Sequence, residues 1–183
     1  MKHQMLHKST TGLIVVDIQG KLATLVHNSD ALISQTKKLI IGAHQLSLPI
    51  LWLEQNPTKL GPTTPCLAEC LTPNQVIEKY SFDATGTELF NHAVQQSGIK
   101  QWLICGIEAH ICVYQTAIGL LQVGHQVEIV ADCVSSRSEF NKQLALNKLL
   151  GLGAHLTSVE MCLFELVADC KAPEFKAILQ LIK

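Results

Sequence analysis

Leu13-Ile-Val-Val16, followed at once by Asp17, is the stretch that decides the fold. Four apolar residues without polar alternation, mostly β-branched, make a short strand buried on both faces. Strands of that kind occur in parallel sheets covered by helices. The flanking segments agree. Asn28 to Leu46 carries Leu32, Thr36, Leu39, Ile40 and Ala43 at helical spacing. Pro49-Ile-Leu-Trp-Leu53 reads as a second strand. Gln55 to Pro65, rich in proline, reads as a loop, and Gln75 to Tyr80 as a third strand.

Further along, Thr85-Gly-Thr-Glu88 reads as a capping box, in which Thr85 and Glu88 satisfy free amides reciprocally. The helix it opens has Leu89, Phe90, Ala93 and Val94 on its apolar face and ends at Gly98. Gln101-Trp-Leu-Ile-Cys105 is a fourth strand, His110 to Gln122 a helix stopped at Gly124, and Gln126-Val-Glu-Ile-Val130 a fifth strand. Ser136-Arg-Ser-Glu139 opens the next helix, which ends near Gly151. Gly153 to Leu156 fits a sixth strand, Thr157-Ser-Val-Glu160 caps another helix, and Pro173 stands where a terminal helix begins. This alternation predicts an α/β fold with a parallel sheet between two helical layers, in one domain spanning residues 1–183.

Composition narrows the function. The formal net charge is −1 and no long Lys/Arg run is present, which argues against nucleic-acid binding. No apolar run approaches the roughly 18 residues of a membrane span. The start, Met1 to Thr11, is polar, and Leu13 to Val16 is too short for a signal-peptide core. Most of the seven cysteines lie within apolar runs, where a thiol behaves as a small hydrophobe. A reducing, cytoplasmic setting is the expectation.

In open parallel sheets, ligands bind at the carboxyl ends of the strands. Three polar residues fall there: Asp17 after the first strand, Lys79 at the end of the third, and Cys112 after the fourth, where a helix starts. A thiol becomes a strong nucleophile by losing its proton, which a helix start and a nearby ammonium favour. A carboxylate can take that proton and return it to a leaving amine. Backbone amides can hold the oxyanion. Each residue also has a plain alternative. Asp17 could cap a helix, Lys79 could be solvated, and Cys112 could be structural, as Cys105 and Cys133 are expected to be.

Gly12-Leu-Ile-Val-Val-Asp-Ile-Gln19, Glu78-Lys-Tyr-Ser-Phe-Asp83 and Cys105-Gly-Ile-Glu-Ala-His-Ile-Cys-Val113 resemble the signature segments of the isochorismatase-like cysteine hydrolases. The likeness runs on through Ala131-Asp-Cys-Val-Ser-Ser-Arg-Ser138 to Pro173-Glu-Phe-Lys176. The pattern is most similar to the isochorismatase domain-containing group, which shares Glu54-Gln55 and Gly61-Pro-Thr63. The resemblance implies a three-layer α/β/α, Rossmann-like fold with a six-stranded, mainly parallel sheet. It implies Asp17 as general base and then acid, Lys79 as the group that holds the thiolate, and Cys112 as the nucleophile of a covalent acyl-enzyme. It implies a cis Ile107–Glu108 bond and an oxyanion hole formed by the Glu108 and Cys112 amides. Relatives form dimers and larger assemblies, so a homo-oligomer is expected.

Departures from the pattern are informative. Leu53-Glu-Gln-Asn-Pro57 lacks the Asp-x-His of nicotinamidases, so neither a metal nor another cofactor is expected. Glu54 alone could bind a cation, but loop ordering or substrate contact is the expectation. Phe82 and Tyr114 are candidates for lining the pocket, with core packing as the alternative. His110 and the pair Cys66 and Cys70 are weaker signals for a base and for metal binding. Ser135 to Ser138 could contact an anionic group or a neighbouring subunit, or simply cap a helix. The function these residues imply is hydrolysis of a C–N bond, amide or ureide, in a small molecule. The competing readings are a non-catalytic oligomeric or partner-binding module, and a redox-sensing thiol.

Overall fold

The computed structural model describes residues 5–183, and residues 1–4 of the polar start lie outside it. The strands are β1 (Thr11–Val16), β2 (Ile50–Gln55), β3 (Val76–Lys79), β4 (Gln101–Ile107), β5 (Gln126–Ser135) and β6 (His155–Thr157). The helices are α1 (Leu22–Leu25), α2 (Ser29–Gln45), α3 (Pro57–Leu60), α4 (Pro65–Leu71), α5 (Glu88–Ser97), α6 (Tyr114–Gln122), α7 (Glu139–Gly151), α8 (Val159–Val167) and α9 (Phe175–Ile182). The strands form one six-stranded sheet in the order β3-β2-β1-β4-β5-β6. Every pairing is parallel.

All six residues of β1 are buried, as its unbroken apolar pattern requires. Successive side chains leave opposite faces of a strand. Leu13 and Val15 therefore enter one apolar layer with Leu39 of α2, Leu67 of α4, Leu163 of α8 and Ile178 of α9. Ile14 and Val16 enter the other, with Phe90 of α5, Leu120 of α6 and Leu149 of α7. The result is the expected three-layer sandwich.

Connections from β1 lead to one side of the sheet and those from β4 to the other. That reversal opens a crevice beyond the carboxyl ends of β1 and β4. The two strands pack there with almost no space. Gly106 of β4 pairs with Val16 and has φ +132°, and a Cβ built on it would lie 2.0 Å from the Val16 carbonyl oxygen. Gly106→Ala is expected to destabilise by about 3 kcal/mol or more, from backbone strain plus overpacking. Urea denaturation checks it, and a loss below about 1 kcal/mol contradicts this packing.

Local details differ from the sequence reading. No capping box forms at Thr85 and Glu88. The Asp83 carboxylate instead accepts from the Thr85 amide at 2.8 Å and its hydroxyl at 2.7 Å, making a 3₁₀ turn over Ala84–Gly86 before α5. An aspartate two residues upstream is the stronger local acceptor. At α8 the cap is Ser158, whose hydroxyl accepts from the Met161 amide at 3.3 Å. Asp132 lies within β5 and accepts from the Val159 amide at 3.1 Å. The Gln55–Pro65 segment holds α3, with Pro57 and Pro65 opening helices as proline can.

Candidate active site

Asp17 follows β1 with φ 52°, a left-handed conformation that turns the chain sharply at the crevice. Lys79 is the last residue of β3 and pairs in register with Gln55, the last of β2. From there it reaches past the end of β2 towards β1. Its ammonium donates to Asp17 Oδ2 at 2.7 Å, Gln55 Oε1 at 2.7 Å and the Ser81 carbonyl at 3.3 Å. Lys79 and Asp17 are both buried, with side chains 0% and 3% exposed. An ion pair this dry persists only when its remaining donors are satisfied, and three acceptors do that here. Asp17 Oδ1, by contrast, has no hydrogen-bond partner among the described residues.

The nucleophile candidate follows β4. The Ile107–Glu108 peptide is cis. The Glu108 carbonyl then accepts from the Ile111 amide at 3.0 Å and the Val113 amide at 3.3 Å, a wide π-type turn that leads into α6. Cys112 sits inside this turn and is buried. Its thiol is close enough to Asp17 and Lys79 to feel both charges. Burial above all, and then the Asp17 charge, push it up to about 12 against the pull of Lys79. Burial likewise raises the Asp17 carboxyl above its ordinary value, with Lys79 opposing. The sequence reading had Cys112 at a helix start that favours the thiolate. It does lie in the first turn, since the π-type turn Ala109–Val113 runs directly into α6, but burial and the Asp17 charge oppose the thiolate there.

Asp17 and Cys112 meet at a cleft of about 160 Å³. Leu22, Leu60, Phe82, Ile107 and Ile111 supply its apolar wall, and Gln19, Gln55 and Glu108 complete it. A carboxylate held by an ammonium through one oxygen, near a thiol at the edge of a small apolar cleft, can take up a proton during nucleophilic attack.

The isochorismatase domain model matches residues 11–161 of this chain. The chain belongs to the isochorismatase family. It is 37% identical over 177 residues to the isochorismatase domain-containing protein 2 of Danio rerio, covering 95% of this chain and 88% of that protein. Among solved structures it is similar to the MAR1 ribonuclease of Caenorhabditis elegans, with TM-score 0.93 and 33% identity over 98% of this chain and 92% of that one. It is also similar to YcaC of Escherichia coli, described as an octameric hydrolase of unknown specificity, with TM-score 0.93 and 25% identity over 100% of this chain and 91% of that one.

Within this isochorismatase-family site, the other sequence candidates separate. Phe82 lines the cleft and is half exposed at its mouth. Glu54 is not among the lining residues: its Oε1 accepts from the Thr63 amide at 2.6 Å and the Thr63 hydroxyl at 2.7 Å, which ties down the loop. Tyr114 faces elsewhere, with the Lys148 ammonium 5.1 Å from its ring centre. The Glu108 carboxylate accepts from the Arg137 amide at 2.9 Å and from Arg137 Nε at 3.1 Å. Burial works against that carboxyl, but the Arg137 bonds hold it below its ordinary range. His110 hydrogen-bonds Ser136 at 2.9 Å, and Ser135 donates to the His27 carbonyl at 2.6 Å, so the Ser135–Ser138 segment is tied down by its own chain.

Two positioning glutamines escaped the sequence reading. Gln19 donates to the Gln55 carbonyl at 3.0 Å and the Gly61 carbonyl at 2.7 Å, and accepts from the Gln55 amide at 2.7 Å. Gln55 grips Lys79 and donates to the Tyr80 carbonyl at 2.7 Å. The available signal was positional: each stands at the carboxyl end of a strand or just past it, on the edge where the site forms. Cys105 is fully buried in β4, held strongly protonated by burial. Cys66 and Cys70 sit in α4, where the Cys70 thiol donates to the Cys66 carbonyl. Among the described residues, no three His, Cys, Asp or Glu side chains form a metal-holding group, and no helix is long and apolar enough to cross a membrane.

Proposed function

We propose that this isochorismatase-family chain is a cysteine hydrolase that cleaves a C–N bond of a small molecule, amide or ureide, through a covalent Cys112 intermediate. One observation carries the reading: Lys79 locks one oxygen of Asp17, and the other, with no hydrogen-bond partner among the described residues, belongs to a carboxylate within electrostatic reach of the Cys112 thiol. As sulfur attacks the carbonyl carbon, Asp17 Oδ1 takes the thiol proton. An S–C bond forms and the carbonyl π pair moves to oxygen, where the backbone amides of Glu108 and Cys112 act as donors. Collapse breaks the C–N bond, and Asp17 passes its proton to the leaving nitrogen. Water, giving a proton to Asp17, then attacks the thioester. The acid departs and the proton returns to sulfur. Lys79 keeps Asp17 oriented throughout.

A scaffold would not need a buried charge pair aimed at a cysteine, and the cost of burying it favours a catalytic role. The redox reading has little support, since Cys105, the nearest cysteine in sequence, is walled into β4. The ribonuclease relative raises RNA as a substrate, but phosphate binding calls for cationic surface, and the net charge is −1. All seven cysteines are free, which supports a reducing, cytoplasmic location. The octameric relative supports a homo-oligomer.

Mass spectrometry of the intact protein against a small amide and ureide panel is the test. An acyl adduct on Cys112, lost in Cys112→Ala while thermal stability is kept, is the expected result. Turnover that survives in Cys112→Ala would end the covalent reading.

A further inference from the structure

We infer that the cleft selects small uncharged amides whose non-reacting part is apolar, of about the size of one ring, and rejects carboxylate-bearing analogues. This rests on the hydrolase reading above and goes beyond it to the substrate class.

Three observations carry the inference. The first is charge. Among the described residues, no Lys, Arg or His lines the cleft, whereas two carboxylates do, Asp17 and Glu108. Each has its cation outside the cleft lining: Lys79, fully buried against Asp17, and Arg137, exposed to solvent beside Glu108. An anionic ligand would thus meet the acidic member of each pair at short range, in a poorly solvated site.

The second is hydrogen-bond capacity. The Gln19 and Gln55 side chains lie on the wall, but their amides are already engaged with Gln55 and Gly61, and with Lys79 and Tyr80. Both Glu108 oxygens accept from Arg137. The lining side chains keep Asp17 Oδ1, the Cys112 thiol and one N–H of Gln55 for a ligand, and the first two serve the reacting group. A carboxylate on the ligand would find at most that one neutral donor in exchange for its water, which selects against it.

The third is size. The cleft is about 160 Å³. A core cavity of about 150 Å³ holds one benzene ring. Phe82 and Leu60 stand at the mouth with exposed carbon surface, suited to a flat or short aliphatic group.

Alkylation of the full-length protein separates charge selection from turnover. Iodoacetamide and iodoacetate differ mainly in charge, and Cys170 is an exposed thiol in the same chain that serves as reference. Peptide mapping should give a preference for iodoacetamide over iodoacetate at least about tenfold greater at Cys112 than at Cys170, the ratio that about 1.4 kcal/mol supports. Benzamide should slow iodoacetamide labelling of Cys112, and 4-carbamoylbenzoate at equal concentration should not. Equal preference at the two cysteines, no protection by benzamide at its solubility limit, or equal protection by the carboxylate overturns the inference. The parent reading fails separately. Protection by benzamide without any acyl adduct from any amide leaves the cleft selective and removes the hydrolase. Acyl adducts formed as readily from 4-carbamoylbenzoate as from benzamide keep the hydrolase and remove the selectivity.

Discussion

Asp17→Asn is expected to abolish turnover while making the Cys112 thiol more acidic, two effects of opposite sense at one sulfur. Asparagine keeps an oxygen for Lys79 but cannot take a proton, so the general base is lost, a factor of about 10² to 10⁴ in kcat/KM. The thiol, meanwhile, loses the negative charge that helps push it up to about 12 and keeps the ammonium that pulls it down. Its alkylation midpoint should fall by on the order of one pH unit or more. Iodoacetamide labelling of Cys112 against pH reads this directly. A midpoint that stays or rises in the variant would mean that Asp17 does not face the sulfur. The unsubstituted protein carries a matching signature. Burial raises Asp17, so its acid limb of kcat/KM should lie above the ordinary aspartate value of 3.8. Activity rises with pH through that limb, because only the ionised carboxylate accepts the thiol proton.

Lys79→Met is expected to give the largest loss of stability. Methionine fills a similar volume but leaves Asp17 buried without its cation. Removing one partner of a buried pair costs about 3–5 kcal/mol. For a chain of this size that is a fall in Tm of roughly 10 °C. The loss should depend on pH. Without Lys79, the folded-state pKa of Asp17 moves further above its unfolded value of about 3.9. A group raised in this way supports folding at low pH and loses that support as pH rises through the folded pKa. The gap between variant and parent should therefore narrow on acidification and be widest near neutrality. Calorimetry across pH 4 to 8 (about that range suffices) checks both points. A gap that is small, or constant with pH, would show that Asp17 and Lys79 do not form a buried charged pair.

Both experiments probe contacts that the sequence hinted at unevenly. Asp17, Lys79 and Cys112 were legible because strand ends are readable from apolar runs, and parallel sheets collect their chemistry at one edge. Gln55 was not. Its role arises from its register with Lys79 and from the reach of a lysine past the end of the middle strand. Glu54 and Tyr114 carried plausible chemistry at plausible positions, yet one turns to Thr63 and the other to Lys148. A rotation of roughly 100° per residue in a helical turn, or one side of a pleat, decides such cases. The capping box at Thr85 failed for a related reason: Asp83 competed for the same amide, and local competition between short polar side chains is invisible to a motif.

By itself the sequence determined the layered α/β architecture, because unbroken apolar strands alternating with amphipathic helices have few other ways to bury their surface. It also determined which three side chains arrive at one edge. Only the tertiary structure decided their burial and their partners. Burial, and the distances among Asp17, Lys79 and Cys112, set the electrostatics of the sulfur, and neither quantity exists until the chain is packed.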